Sequence, residues 1–330
     1  MTSIFHGAAK SPRRPLIAVL GATGAQGGGL VRALLADPQR RYAVRALTRR
    51  PTSPEATALA ALGADICTAD LDDRASLADA FAAADGVFAV TNFWEHLSPE
   101  RETQQARNIA DAARMARVGH VVWSTLEDTR PAIAAAGTDI PMLPGGYRVP
   151  HFDAKGAADR FFVEAGVPTT FLYTSFFWEN LIRFGMGPQR NEETGELELT
   201  LPLGERSLPG MAAADVGAIA MALFLRRTWT VGAAIGVAGA HLTGAQMAAA
   251  LGQALGEPVR YRPQRWADAA RLPFAGAADM ANMFRFKHDH QAAYTALRDV
   301  HATRHLHPGL QDFDTWLKRH AHQIPVTELA

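Results

Sequence analysis

Three regularly spaced glycines could bring the backbone close to a ligand. Gly21, Gly24 and Gly27 stand between an apolar run and an alanine-rich segment. In such a turn the first glycine permits the sharp bend, the second lets the backbone approach a pyrophosphate, and the third lets a helix pack closely on the preceding strand. The start of that helix would direct its N–H groups toward an anion. The spacing predicts a dinucleotide site; a tight strand-to-helix turn without a ligand is the alternative.

Two arginines bear on the choice of cofactor. An NAD site usually offers Asp or Glu to the ribose hydroxyls about twenty residues after the glycine turn. This chain has Arg49 and Arg50 in that region. A guanidinium group suits the 2′-phosphate of NADP. We therefore predict NADP(H) as the cofactor, and a solvated basic turn is the alternative.

Further candidate residues follow the third and fourth predicted strands. Ligands of open α/β sheets lie beyond the carboxyl ends of the strands, so Thr91, Asn92 and Phe93 should face the ribose and phosphate region of the cofactor. Asp70 and Leu71 should edge the adenine pocket. Two alternatives stay open: Asp70 could cap the following helix, and Phe93 could close the core.

The elements that would position these residues alternate along the chain. Short apolar runs predict strands, and segments with helical spacing separate them. Parallel strands require such crossovers, so the pattern predicts a Rossmann-type, doubly wound α/β fold with helices on both faces of the sheet. The predicted strands occupy residues 16–21, 42–49, 64–70, 87–92, 120–126 and 168–174.

The regular alternation of strands and helices ends after Tyr173. Residues 191–204 predict a hairpin or extended piece, 213–226 a helix, and 233–239 a strand returning to the main sheet. Thr243 is expected to cap an amphipathic helix. The predicted organisation is a mobile tail at 1–14, a Rossmann domain at 15–175 rejoined by about 211–238, and a smaller mixed α/β domain, at 176–210 and 239–330, that forms a cleft.

Composition narrows the class of protein. The 330 residues are 48% hydrophobic, with 33 basic and 33 acidic side chains. A formal net charge of zero gives no global attraction to nucleic acid or anionic lipid, so neither is an expected partner. The single Cys67 cannot form an internal disulfide, and no apolar run has the length of a signal peptide core or a membrane span. A soluble cytoplasmic protein is expected.

Several motifs together resemble a known family. The chain from about residue 15 to about 317 is similar to the NmrA-like family, in its HSCARG-type branch of atypical short-chain dehydrogenases/reductases. The resemblance implies an NADP(H)-binding Rossmann domain with a smaller C-terminal domain closing a cleft over the nicotinamide. It also implies a sensor of NADPH level, whose conformation, self-association as a homodimer and binding of a protein partner follow cofactor occupancy. The motifs are GATGAQGG, LTRR, VTNFWE, HFDAKG, FFWENL and FAGAADMANMFRF.

The resemblance also implies roles for individual residues, and one position departs from it. The HSCARG-type branch carries a lysine four positions after the phosphate-binding arginine, where this chain has Ser53. The 2′-phosphate would therefore depend on Arg49, with help from Arg50. The implied contacts are Gly21, Ala22, Thr23, Gly24, Ala25 and Gln26 to the pyrophosphate, Asp70 and Leu71 to adenine, Thr91, Asn92 and Phe93 to the middle of the cofactor, Lys155 to the nicotinamide ribose, and Phe177, Trp178, Glu179 and Asn180 over the nicotinamide end.

The residues at the expected catalytic positions leave two functions open. Short-chain dehydrogenases pair a tyrosine proton donor with a lysine four residues later, and here the pair is His151 and Lys155. Ser124 stands at the position of the active-site serine, and Tyr147 is a weaker candidate donor. If Lys155 and Ser124 only hold the cofactor, His151 is a polar residue at a helix start. This interpretation favours an NADPH-responsive regulator.

The rival function is an NADPH-dependent reductase of a small planar carbonyl, quinone or imine. Phe176, Phe177 and Trp178 could form a flat apolar slot for such a substrate, or could belong to the core between the domains. A separate observation is that His301 and His305 have the spacing of two zinc ligands on one helical face. No cysteine or suitably placed glutamate completes a set, so no metal site is predicted.

Overall fold

The computed structural model describes residues 13–326, and its first half alternates short strands with helices. Residues 1–12 of the predicted tail lie outside this range. In chain order the elements are β1 (Leu16–Val19), α1 (Ala25–Leu35), β2 (Ala43–Thr48), α2 (Pro54–Ala61), β3 (Asp65–Thr68), α3 (Arg74–Ala80), β4 (Gly86–Ala89), α4 (Pro99–Met115), β5 (His120–Thr125), α5 (Thr129–Ala136), α6 (Pro150–Glu164) and β6 (Thr169–Tyr173).

The second half has shorter strands and more helices. Its elements are β7 (Phe176–Phe177), α7 (Asn180–Arg183), β8 (Gln189–Arg190), β9 (Leu197–Leu199), β10 (Ser207–Met211), α8 (Asp215–Leu225), α9 (Arg227–Thr230), β11 (Ala234–Gly236), β12 (Ala240–Thr243), α10 (Gly244–Leu255), β13 (Val259–Tyr261), α11 (Trp266–Ala269), α12 (Ala277–Asp289), α13 (Gln291–Leu297), α14 (Val300–Leu306) and α15 (Phe313–His320).

The main sheet has seven strands in the order β11-β6-β5-β4-β1-β2-β3, and all neighbours are parallel. Every residue of β4 and β5 is buried, as expected for strands covered by helices on both faces. The strand order reverses between β1 and β4, which places a switch point beside the glycine turn. The predicted Rossmann-type fold is confirmed, and the strand expected at 233–239 is β11, at the edge next to β6.

The alternation of strands and helices ends where the chain forms two small mixed sheets, β12-β10-β7 and β13-β9-β8. The extended piece expected at 191–204 contributes β9, which pairs antiparallel with β8. Thr243 caps α10 as predicted: its hydroxyl accepts the N–H of Gln246, whose side chain in turn accepts the N–H of Thr243. These sheets and the C-terminal helices enclose an apolar core that includes Trp178, Phe284 and Trp316.

Candidate functional site

The glycine turn joins β1 to α1 and leaves the start of the helix open. Gly21 has a φ of +61°, in the left-handed region that favours glycine. A Cβ at Gly27 would lie 2.4 Å from the Gly21 carbonyl oxygen, so any larger residue there would push the helix away. Gly24 is the N-cap, and no side chain in residues 13–326 caps this helix end. N–H donors without a side-chain acceptor fit an anionic pyrophosphate.

Ser124, at the end of β5, connects the sheet to this turn. Its hydroxyl donates to Oε1 of Gln26, in the first turn of α1, at 2.8 Å. Ser124 is almost fully buried, with 3% of its surface exposed. Because the hydroxyl proton is used by Gln26, Ser124 holds the glycine turn and would have to rotate to donate to a substrate carbonyl.

Lys155 is held by three oxygen atoms at the end of β4 and the start of α4. Its Nζ lies 2.6 Å from Thr91 Oγ1, 3.1 Å from the Thr91 carbonyl oxygen and 2.7 Å from Glu102 Oε1. The Thr91 hydroxyl donates to the same Glu102 oxygen at 2.5 Å. All three residues are buried. The ammonium group is therefore fixed at the cleft with its charge compensated.

Glu102 was missed by sequence reasoning, although a signal was present. Glu102 shares the buried face of α4 with Ala106, Ile109 and Ala113. A carboxylate in an apolar helical stripe indicates a buried partner. A second contact comes from His96, whose Nδ1 accepts the N–H of Ser98 at 3.1 Å. The proton of the neutral ring is then on Nε2, 3.4 Å from Glu102 Oε2.

His151, at the start of α6, is paired with an acid from the far end of the chain. Its Nδ1 donates to Asp279 Oδ1 at 2.7 Å, and its backbone N–H donates to Asp279 Oδ2 at 3.2 Å. Both side chains are about 5% exposed. Trp94 contacts the imidazole, with 4.9 Å between ring centroids. The two bonds to Asp279 fix the ring and leave Nε2 as the nitrogen that the carboxylate does not use.

Helix α12 supplies Asp279 and also secures the approach to α6. The Asn282 amide donates to the carbonyl oxygens of Pro141, at 2.8 Å, and Arg148, at 2.6 Å. Both residues precede α6, so the helix that contacts His151 also fixes the chain leading to it. The motif FAGAADMANMFRF identified this segment, but its spacing alone did not indicate a partner for Asp279.

These side chains meet in one cleft of about 130 Å³ at the carboxyl ends of the central strands. His151, Lys155, Ser124 and Gln26 are its polar members, and Phe93, Trp94 and Phe177 are its aromatic members. The structure thus brings together candidates from the glycine turn, β4, β5 and α6. The lining residues are Gln26, Val90, Thr91, Phe93, Trp94, Ser124, Thr125, Leu126, His151, Lys155, Thr174 and Phe177.

Arg49 lies at the outer end of the candidate cofactor site, where it contacts an acid. Its Nη1 is 2.6 Å from Glu95 Oε1, and both side chains are about half exposed. The hydrogen bond from Arg49 holds the pKa of the Glu95 carboxyl below its usual range. Arg50 is also exposed, and its backbone N–H donates to Thr48. Both arginines therefore lie at the surface just after β2.

The turn after β3 shows whether Asp70 caps the following helix. Asp70 does not cap α3; the cap is Asp73, whose carboxylate accepts the N–H groups of Ala75 and Ser76. Asp70 instead accepts the N–H of Asp72 at 3.0 Å, which shapes the turn.

Two neighbouring positions have structural contacts of their own. The Leu71 carbonyl oxygen accepts from Asn108 on α4 at 2.9 Å. Ser53, at the position of the missing lysine, caps α2 by accepting the N–H of Ala56. A short hydroxyl at that position starts a helix and supplies no charge.

The structure divides the aromatics Phe176, Phe177 and Trp178 between the two alternatives, the cleft and the core. Successive residues of β7 face opposite sides, so Phe177 lines the cleft while Phe176 enters the C-terminal core. Trp178 is 1% exposed and packs on Phe313 and Trp316, with ring centroids 5.3 and 6.1 Å apart. Of these three aromatics, one is placed to contact a ligand in the cleft.

The polar residues that follow Trp178 have structural contacts of their own. Glu179 accepts the N–H of Ala213 at 2.9 Å and the indole N–H of Trp316 at 3.2 Å, which makes it a structural acceptor. Asn180 begins α7, and neither residue lines the cleft. Asn92 is exposed at the end of β4, while the neighbouring Thr91 and Phe93 are buried. Of the residues expected over the nicotinamide end, Phe177 lines this cleft, and a cofactor contact of the other three stays a prediction.

The C-terminal histidines serve local contacts. His305 Nδ1 lies 2.8 Å from the His301 carbonyl oxygen one turn earlier. Within residues 13–326, no three or more His, Cys, Asp or Glu side chains form a group that could hold a metal ion. The helices of the same range include none that is long and apolar enough to cross a membrane.

The switch point, the open glycine turn and the polar cleft define an α/β protein of the Rossmann type. The chain belongs to the NmrA-like family, whose model matches residues 13–317. This confirms the family inferred from the motifs; the HSCARG-type branch stays a prediction.

Three proteins similar to this chain are two curated relatives and one solved structure. The NAD(P)H azoreductase of Xenophilus azovorans is 33% identical over 74% of this chain and 76% of its own length. The NmrA-like family domain-containing oxidoreductase ptmS of Penicillium ochrochloron is 30% identical, and the match spans 61% of each chain. The crystal structure of NmrA, a negative transcriptional regulator, in complex with NADP has a TM-score of 0.74 at 20% identity, over 93% of this chain and 95% of that one.

Proposed function

We propose that this protein binds NADP(H) and reduces a small planar carbonyl, quinone or imine in the cleft. The observation that carries the proposal is the His151–Asp279 pair, which places an imidazole in the same cleft as Lys155. An imidazole that a carboxylate orients at a strand-end cleft has the geometry of a proton donor. The relatives named as oxidoreductases support an enzyme of this class.

The residues around the cleft fit the parts of a dinucleotide. The N–H groups after Gly24 would hold the pyrophosphate, and Arg49 the 2′-phosphate. Asp70 and Leu71 would edge adenine, and the Thr91–Lys155 pair would contact the nicotinamide ribose. When bound, the cofactor supplies a hydride.

The chain would supply the matching proton from His151. Asp279 accepts the hydrogen bond of the Nδ1 N–H, so a protonated ring can donate its Nε2 proton to the substrate oxygen or nitrogen while hydride reaches the other end of the double bond. The neutral ring left behind keeps its Nδ1 proton, hydrogen-bonded to Asp279, and regains the Nε2 proton from solvent. Proton and hydride together give the two-electron reduction.

The test is NADPH consumption by the purified protein with a panel of quinones, enones and imines. His151→Asn should abolish most of the turnover but leave NADPH affinity unchanged. Tyr147→Phe is the matched control, because Tyr147 is close in sequence but does not line the cleft. Activity in His151→Asn equal to that of Tyr147→Phe and the wild type would remove His151 as the proposed donor.

A second function, an NADPH-responsive regulator that binds a protein partner and self-associates as a homodimer, is favoured by the Arg49–Glu95 contact. A 2′-phosphate on Arg49 would displace Glu95, which belongs to the 3₁₀ turn Phe93–Glu95 beside the cleft. A ligand can shift only states that it binds unequally. Small-angle scattering and oligomeric state should therefore change at saturating NADPH; unchanged profiles would leave the regulator without a physical basis.

A further inference from the structure

The ion pair between Arg49 and Glu95 occupies the guanidinium group that a 2′-phosphate would need. Nη1 of Arg49 and Oε1 of Glu95 are 2.6 Å apart. The carboxylate is ionised at neutral pH, because the hydrogen bond from Arg49 lowers its pKa. A carboxylate on Arg49 presents the same kind of oxygen acceptor as a phosphate. Glu95 and a 2′-phosphate would therefore compete for one guanidinium group.

The charges around this pair make Glu95 the immediate partner of Arg49. Asp70 also acts electrostatically on Arg49, but the carboxylate that accepts a hydrogen bond from Arg49 is that of Glu95. Arg101, the other nearby guanidinium, is bound to Asp72 at 2.5 Å. The positive charge of Arg49 is thus already compensated at close range, and an incoming phosphate would meet the carboxylates of Glu95 and Asp70 near its guanidinium group.

Glu95 is also connected to the inner end of the cleft. It ends the 3₁₀ turn Phe93–Glu95, whose Trp94 contacts the imidazole of His151. The next residue, His96, lies 3.4 Å from Glu102, the partner of Lys155. One short segment therefore spans from the candidate phosphate site to the two buried ion pairs.

We propose that Glu95 is a specificity-determining residue that competes with the 2′-phosphate of NADP(H) for Arg49 and lowers the preference for NADP(H) over NAD(H). The inference rests on the proposed function, since it assumes that a dinucleotide binds along this edge. An exposed ion pair contributes little free energy, so a phosphate can displace Glu95 at a modest cost in affinity. A neutral side chain at position 95 removes the competition for Arg49.

The test uses two probes that differ only in the 2′-phosphate, 2′,5′-ADP and 5′-ADP, with affinities measured by calorimetry. Glu95→Gln should tighten 2′,5′-ADP by about two- to five-fold, the range expected for an exposed ion pair, and leave 5′-ADP unchanged. The matched control is Glu196→Gln, which removes an exposed partner of Arg260 in a small sheet. It should change neither affinity.

A double-mutant cycle separates competition from simple repulsion. In an Arg49→Gln background, Glu95→Gln should no longer improve 2′,5′-ADP binding, because the contested group is gone. A gain that persists in that background would overturn competition through Arg49. Unchanged 2′,5′-ADP affinity in Glu95→Gln, with tight binding to the wild type, would overturn this inference alone. If 2′,5′-ADP, 5′-ADP and NADPH all failed to bind any variant, the proposed function would fail with it.

Discussion

Asp279 and His151 are 128 residues apart in the chain, yet Oδ1 of the carboxylate lies 2.7 Å from Nδ1 of the imidazole. The contact joins α12 of the C-terminal region to the first turn of α6, which packs against the Rossmann sheet. A C-terminal helix therefore controls the orientation of a ring in the cleft. Catalysis, if it depends on His151, should be sensitive to a residue that never touches the substrate.

Asp279→Asn should affect turnover through His151 without affecting the binding of NADPH. The amide keeps the size of the carboxylate but loses the charge that stabilises an imidazolium, so we expect kcat to fall on the order of 100-fold. KM for NADPH should change less than about two-fold, because Asp279 lies outside the predicted cofactor contacts. Steady-state kinetics measures both values. Asp289→Asn at the other end of α12 is the control, and equal kcat values in wild type and Asp279→Asn would refute the role of the pair.

Arg49→Glu should alter the choice between cofactors. A carboxylate at position 49 repels the 2′-phosphate, so NADPH affinity should fall at least about ten-fold while NADH affinity changes little. Fluorescence titration with both cofactors gives the comparison, and Arg50→Glu shows how much the adjacent charge contributes. Comparable losses for NADPH and NADH would remove Arg49 from the phosphate site.

Local patterns were enough to predict the elements and their junctions. The alternation of apolar runs and helical segments predicted the succession of strands and helices along the chain. Thr243 followed by Gln246 marked the start of α10. Gly21, Gly24 and Gly27 were recognisable because a backbone turn has local requirements. Residues at strand ends, such as Thr91 and Ser124, could be assigned to one edge of the sheet for the same reason.

Pairings between distant side chains could not be predicted in this way. Glu102, Asp279 and Glu95 each contact a candidate residue, but neither spacing nor propensity specifies which charged groups meet across separate elements. The sequence also did not indicate which residue of β7 faces the cleft, because a shift of one residue exchanges the positions of Phe176 and Phe177. The packing of helices and strands in the folded chain determines both the charged pairs and the orientation of β7.

Lys155→Met should destabilise the protein through the charge that remains. Glu102 would be left buried next to Thr91 without its cation, and removing one member of a buried ion pair costs about 3–5 kcal/mol. Urea unfolding gives the free energy of unfolding. Arg74→Met, which removes an exposed partner of Asp111, is the control and should change stability by less than about 0.5 kcal/mol.

The double variant Lys155→Met/Glu102→Leu tests the cause of that loss. If an uncompensated carboxylate is responsible, replacing it with an apolar side chain should recover much of the stability. No recovery would mean that the loss comes from packing around Lys155. The outcome matters for function as well, because it shows how strongly the ammonium group is held at the cleft.

Asp159 should make stability fall as pH rises through the range from about 4 to 6. The carboxyl accepts from Trp123, Thr125 and Tyr173, but its burial is the larger effect and raises its pKa to about 6. An unfolded Asp titrates near pH 4, so between these values the folded state holds a proton that the unfolded state has lost. The free energy of unfolding then decreases by about 3 kcal/mol across this range and stays lower above it.

Asp159→Asn isolates this effect from an opposing one at His120. Burial lowers the pKa of His120 to about 4, so from about pH 4 to 6.5 the unfolded state binds more protons at this site and stability rises with pH. The wild-type profile contains both contributions, whereas Asp159→Asn lacks only that of Asp159, since an amide does not titrate. The difference between the two urea-unfolding profiles should therefore change by about 3 kcal/mol between pH 4 and pH 7. A constant difference would show that the Asp159 carboxyl titrates at its unfolded pKa in the folded protein, and that its three donors compensate fully for burial.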